Sequence, residues 1–159
     1  MNKPMAKYML LAIKEAEKNY TKLEGGPFGA CIVKKGGSVI AVSRNTVLKN
    51  DAICHAEINA IRLASKKLKT FDLSSCIMYS TTEPCPMCFS AIHWARIDKI
   101  IYGASMADAK KAGFNELSIT AKKVKLLGKS RVKIQGGFMS GQCRKLFTVW
   151  KGLPRAFYY

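Results

Sequence analysis

Two short segments constrain this chain more than anything else in it: His55-Ala56-Glu57, and Glu83-Pro84-Cys85-Pro86-Met87-Cys88. Each stands at the start of a predicted helix. Two thiolates separated by two residues face one ion from a helix N-terminus, where the backbone dipole favours their negative charge. One imidazole adds a third ligand. The fourth tetrahedral position is then left to water, which marks a catalytic rather than a structural zinc site. Glu57, two residues from His55, reaches that water without ligating the ion, as a proton carrier must. A lone Cys-x-x-Cys is shared with redox motifs and zinc knuckles. Joined to a His-Ala-Glu whose Glu57 lies 28 residues before Cys85, with a predicted strand between, the pattern is far more specific.

The rest of the chain suits one globular domain. Its 159 residues are 48% hydrophobic and 23% charged, which argues against disorder. No apolar run approaches the roughly 18 residues of a membrane span. Met1 to Tyr20 reads as an amphipathic, lysine-bearing helix rather than a leader, so the expected compartment is the cytoplasm. In that setting the six cysteines, Cys31, Cys54, Cys76, Cys85, Cys88 and Cys143, are expected as thiols and thiolates. Cys54, beside His55, is read as structural. The formal charge of +17 favours anionic partners, nucleic acid first, or else reflects a surface solvated by lysine. Lysines such as Lys14, Lys34, Lys66, Lys99, Lys122, Lys133 and Lys145 are scattered rather than gathered in one arm.

Apolar spacing predicts a helix over 5–19, strands over Phe28 to Val33 and Ser38 to Ser43 around a Lys35-Gly36-Gly37 turn, and a helix from about Cys54 to Lys67. The last carries Ile58, Ile61 and Leu68 in its apolar stripe. A buried strand at Cys76 to Ser80, a helix from Pro86 to about Arg96, and a strand at Lys99 to Gly103 follow. A glycine-containing loop and an unassigned basic stretch then lead to a strand at Val132–Ile134, a helix from about Ser140 to Trp150, and a tail from Lys151 to Tyr159. This order implies a mixed sheet covered by helices, a three-layer α/β/α arrangement.

His-x-Glu followed by Pro-Cys-x-x-Cys is the known pattern of zinc nucleobase deaminases. With Gly26-Pro27-Phe28-Gly29-Ala30, these segments resemble the cytidine deaminase superfamily along nearly the whole chain. Gly25-Gly26-Pro27-Phe28-Gly29, Ala91-Ile92-His93-Trp94-Ala95-Arg96, Asp108 to Glu116 and a terminal Tyr159 nine residues after Trp150 are similar to its bacterial guanine deaminases. The tRNA adenosine deaminases are near relatives. The resemblance implies a five-stranded mixed sheet and one Zn2+ held by His55, Cys85 and Cys88. It implies a purine contacted by Asn45, Glu116 and Tyr159, and a homodimer in which the tail (151–159) is exchanged in part of the family. Phe28 or Trp94 offers a stacking face. His93 stands where that branch has Tyr, and is read as packing on a neighbouring helix or subunit. Glu116 replaces the usual Asp, and Asp51-Ala52-Ile53-Cys54 replaces Asp-Pro-Thr-Ala. The loop before His55 is one residue short, which leaves Arg44 as the alternative to Asn45.

These features imply hydrolytic deamination of guanine to xanthine and ammonia. The alternatives are a tRNA wobble-adenosine deaminase, an enzyme for guanosine, cytosine or an aminotriazine, and a non-catalytic nucleic-acid-binding module stapled by zinc. Retention of Glu57 speaks against the last, since structural zinc has no use for that carboxylate.

Overall fold

The computed structural model describes residues 3–159. Met1 and Asn2, at the start of the segment read as an N-terminal helix, lie outside them. Helix α1 (Ala6–Glu17) buries Tyr8, Met9, Ala12, Ile13 and Ala16 along one face, and a short α2 (Asn19–Lys22) follows it. Strands β1 (Gly29–Lys34) and β2 (Val39–Arg44) pair antiparallel. Their turn closes with Gly37 N–H donating to Lys34 O and Lys34 N–H to Ser38 O. Gly36 and Gly37 take φ of 103° and 101°, a left-handed region that glycine enters at little cost.

Helix α3 (Ala56–Leu68), strand β3 (Cys76–Thr82), helix α4 (Pro86–Trp94) and strand β4 (Lys99–Ala104) supply the middle of the molecule. The predicted glycine-containing loop and basic stretch contain two helices, α5 (Met106–Ala112) and α6 (Ala121–Leu127). A Ser105–Asp108 capping box starts the first, and the Thr120 hydroxyl caps the second. Strand β5 (Lys133–Gln135) and helix α7 (Ser140–Lys151) complete the chain.

The sheet order is β2-β1-β3-β4-β5, antiparallel across β2-β1-β3 and parallel across β3-β4-β5, as the mixed five-stranded expectation has it. Two apolar clusters sandwich it. On one face α1, α5 and α7 bury Met9, Ala109, Leu146 and Trp150 with Ile77 and Tyr79 of β3. On the other, α3, α4 and α6 bury Ala60, Ile92 and Ala121 with Cys76 and Met78 of β3. The side chains of β3 thus alternate between the two layers, the period of a pleated strand.

The buried stripe of α3 differs from the prediction. Ala56, Ala60 and Ala64 face the sheet, while Ile58, Ile61 and Leu68 sit half-buried at its flanks. Small side chains let the helix lie close on the strands, a preference that a search for bulky apolar residues overlooks. All six cysteines are free, as expected. No helix among the described residues is long and apolar enough to cross a membrane.

Close approach also governs Gly29, where α1 crosses β1. A Cβ there would lie 2.0 Å from Ala12 O and 3.1 Å from Ala16 Cβ. Gly29→Ala should therefore lower stability by about 1–3 kcal/mol, the usual range for overpacking. Urea unfolding of the two proteins measures it, and an unchanged midpoint refutes the constraint.

Candidate active site

The chemistry collects at the end of β3, where the starts of α3 and α4 converge. His55 is the extended residue before α3, and Cys85 is the extended residue before α4, with Pro86 pre-set for the first helical position. Cys88 follows one turn into α4 and is fully buried. The ligand atoms of His55, Cys85 and Cys88 lie within 4.8 Å of one another. Cys85 Sγ stands 3.8 Å from His55 Nδ1. Zinc bond lengths of about 2.0–2.3 Å place tetrahedral donors roughly 3.5–4 Å apart. Two thiols and an imidazole at this spacing therefore suit zinc. These three are the only such group among the described residues, so one coordination position stays free for chemistry.

The electrostatics of the triad agree with a cation site. A hydrogen bond from Cys88 holds the Cys85 thiol down to about 4, against the opposing effect of burial and with help from His55. That same bond, together with burial, pushes Cys88 well up. Burial works to lower the His55 imidazole, but its contacts with Cys85 and the Glu57 carboxylate carry it upward. Metal binding displaces such protons.

Glu57 lies in the first turn of α3 and is 6% exposed. Burial raises its pKa, and Ser80 Oγ donates to its Oε1 at 2.9 Å. Glu83, also buried, accepts from the N–H groups of Met106 and Ala121 and so ties the starts of α5 and α6 to the site. Neither Ser80 nor this tethering by Glu83 emerged from motif reading. The signal for Ser80 was available in strand periodicity, since Ser80 and Thr82 continue the face of Met78.

A cavity of about 110 Å³ opens on this group, lined by Phe28, Asn45, His55, Glu57, Thr82, Glu83, Cys85, Phe114, Asn115, Glu116 and Tyr159. One water needs roughly 10–15 Å³ by this measure, so the space is that of a ring rather than a solvent molecule. Most of the residues expected around a purine are here. Phe28 packs edge-on against Phe114 at 4.8 Å. Asn45 Oδ1 accepts from Val47 N–H, so the residue both shapes its turn and faces the cavity. Its neighbour Arg44 instead pairs with Glu15 and Glu24, so of the two positions only Asn45 lines the cavity. Burial, and next the charge of Cys85, lift Glu116 to about 7. The tail folds onto its own chain. The Tyr159 hydroxyl accepts from Gly26 N–H at 3.0 Å, and Asn115 N–H donates to Tyr159 O.

Trp94 is the exception. It is 75% exposed and stands edge-on to His93, away from the cavity. At about 100° per residue, six residues place it about 120° round the helix from Cys88 and about 9 Å further along. It therefore does not stack on a ring in this pocket. His93 bonds Ser130, in the turn after α6, at 2.9 Å. Cys54 is buried and accepts from Arg62 at 3.3 Å, outside the triad.

The cytidine and deoxycytidylate deaminase zinc-binding region matches residues 2–104. Guanine deaminase of Bacillus subtilis strain 168 is 48% identical over 92 residues, 58% of this chain and 59% of that protein. The aligned region therefore spans less than two thirds of that relative. The tRNA-specific adenosine deaminase of Buchnera aphidicola subsp. Schizaphis graminum is 35% identical over 145 residues, 89% of each chain. Among solved structures, guanine deaminase from Nitrosomonas europaea superposes with a TM-score of 0.83 at 27% identity, covering 91% of this chain and 83% of that one. With the zinc triad, the buried glutamate and the mixed sheet in place, the chain belongs to the cytidine and deoxycytidylate deaminase family and is a hydrolytic deaminase.

Proposed function

We propose that this deaminase converts guanine and water to xanthine and ammonia. The observation that carries the reading is Glu116, a carboxylate lining the same ring-sized cavity as His55 and Cys85. Guanine presents N1–H and the 2-amino group as adjacent donors, and an ionised carboxylate accepts them as a pair. Asn45 offers both a donor and an acceptor to the ring edge, and Tyr159 lines the same cavity.

His55, Cys85 and Cys88 would hold a zinc ion, whose Lewis acidity would make a water nucleophilic near neutral pH. Glu57 takes a proton from the water that attacks C2 and delivers it to ring N3. It then carries the second proton to the departing amine, and the C2–N2 bond breaks to release ammonia. The homodimer and the cytoplasmic setting expected above belong to the same proposal, and light scattering of the purified protein tests the first.

A second reading, deamination of a tRNA adenosine, is favoured by the distribution of charge. No Asp or Glu follows Glu116, while the last 43 residues hold ten Lys and Arg. Lys122, Lys123 and Lys125 of α6, then Lys129, Arg131 and Lys133, form no ion pair among the described residues. The lysines are thus less scattered than the expectation drawn from the whole chain. The helix that opens this basic run starts at Ala121, whose N–H reaches Glu83 in the cavity wall.

Ammonia release measured on guanine, guanosine, adenine, cytosine and a tRNA anticodon stem-loop separates the two. Turnover on guanine supports the first reading, and turnover on the stem-loop alone overturns it. Glu57→Gln should retain one zinc per chain by metal analysis yet lose turnover by at least about a hundredfold, the scale of general acid–base catalysis. Retained turnover removes Glu57 from the proton path. Glu116 accepts guanine only when ionised, and its pKa is raised to about 7. The KM for guanine should therefore climb as pH falls below about 7, and Glu116→Gln should remove that dependence. A flat KM profile from pH 8 to 6 counts against the contact.

A further inference from the structure

The face of β3 that looks toward α3 and α4 changes character along its length. Cys76 and Met78 are apolar and sit in the core beneath Ala56 and Ala60. Two residues on, Ser80 occupies the same face where that core gives way to the site, and Thr82 lines the cavity. The strand is central in the sheet, with Ser80 paired to Ala30 on β1 and to Tyr102 on β4. Ser80 is 2% exposed. A hydroxyl in such a place costs free energy unless it is bonded. Its side-chain partner is the Glu57 carboxylate, at 2.9 Å from Oγ to Oε1. The neighbouring hydroxyls do other things: Thr81 Oγ1 accepts from Gly29 N–H on the opposite face, and Thr82 Oγ1 is buried without a partner.

A glutamate side chain has three rotatable bonds, and in the first turn of a helix the exposed amides there, including Glu57's own N–H, hold its carboxylate only from the helix side. Anchoring one carboxylate oxygen removes most of that freedom. We infer that Ser80 is a positioning residue for deamination: its hydroxyl pins Glu57 Oε1 so that Oε2 stays directed at the metal triad for the proton in transit. Ser80 keeps its own proton throughout and donates to the carboxylate before transfer and after it. It touches neither substrate nor metal. Its contribution is preorganisation, which is worth most where a small displacement of a proton carrier is amplified in rate. The inference rests on Glu57 as the proton carrier, and not on which base fills the cavity.

The test compares Ser80→Ala and Ser80→Thr on whichever substrate the unmodified protein turns over. Ser80→Ala should lose about ten- to a hundredfold in kcat, with KM and zinc content unchanged. Ser80→Thr keeps the hydroxyl and should restore most of the loss. A crystal structure of zinc-loaded Ser80→Ala should show the Glu57 carboxylate rotated away from the triad, a readout that does not depend on activity. The inference is overturned by full kcat in Ser80→Ala, by a loss that tracks zinc content, by equal loss in both variants, or by an unmoved Glu57. If Glu57→Gln is inactive while Ser80→Ala is fully active, only this inference falls. If Glu57→Gln stays active, the proton-carrier assignment itself falls.

Discussion

Everything at the site depends on two helix starts meeting over the end of one central strand. His55 and Cys85 are each the last extended residue before a helix, so each enters the cavity with the positive end of a helix dipole behind it. Strand β3 holds α3 and α4 on the same face of the sheet, and Cys88 closes the triad one turn into α4. Each of these contributions is local. Their convergence comes from the sheet order, which places β3 between antiparallel β1 and parallel β4.

That convergence concentrates acidity. Glu57, Glu83, Glu116 and Cys85 share one cavity, where only His55 offers a compensating cation. Burial lifts Glu57 and Glu116, and the charge of Cys85 adds to the effect on each. Such a cluster is tolerable when a divalent ion sits among its members, which lowers the cost of keeping them ionised. The site's electrostatics and the donor chemistry of the triad therefore argue for the same occupant. The hydrogen bond from Ser80 and the tethers from Glu83 keep buried carboxylates satisfied while leaving part of the cavity free for a ring.

The strands and long helices were largely legible, because their signals are local. Lys35-Gly36-Gly37 closes the hairpin as its composition demands, and Pro86 starts α4. Helices α5 and α6 are not legible from periodicity because seven residues give too short an apolar repeat. Their caps at Ser105-x-x-Asp108 and Thr120 were the better signal. Trp94 departs from its expected place for a different reason. A ring near a metal-binding motif in sequence suggests proximity, but helical rotation carries it to the surface. Arg44 and Asn45 show the limit most sharply: adjacent residues, one drawn into an ion cluster with Glu15 and Glu24, the other lining the cavity.

By itself the sequence determined the donor set and the carboxylate beside it, because ligand chemistry needs particular residue types at short spacing and those lie within single segments. Tertiary structure alone decided what surrounds them. Ser80 meets Glu57 across 23 residues, Ala121 meets Glu83 across 38, and Tyr159 meets Gly26 across 133. No local pattern encodes such contacts, since each depends on how layers of helix and sheet stack. His55, Glu57, Cys85 and Cys88 were therefore readable before any fold was known. The cavity beside them was not, because its walls come from both ends of the chain.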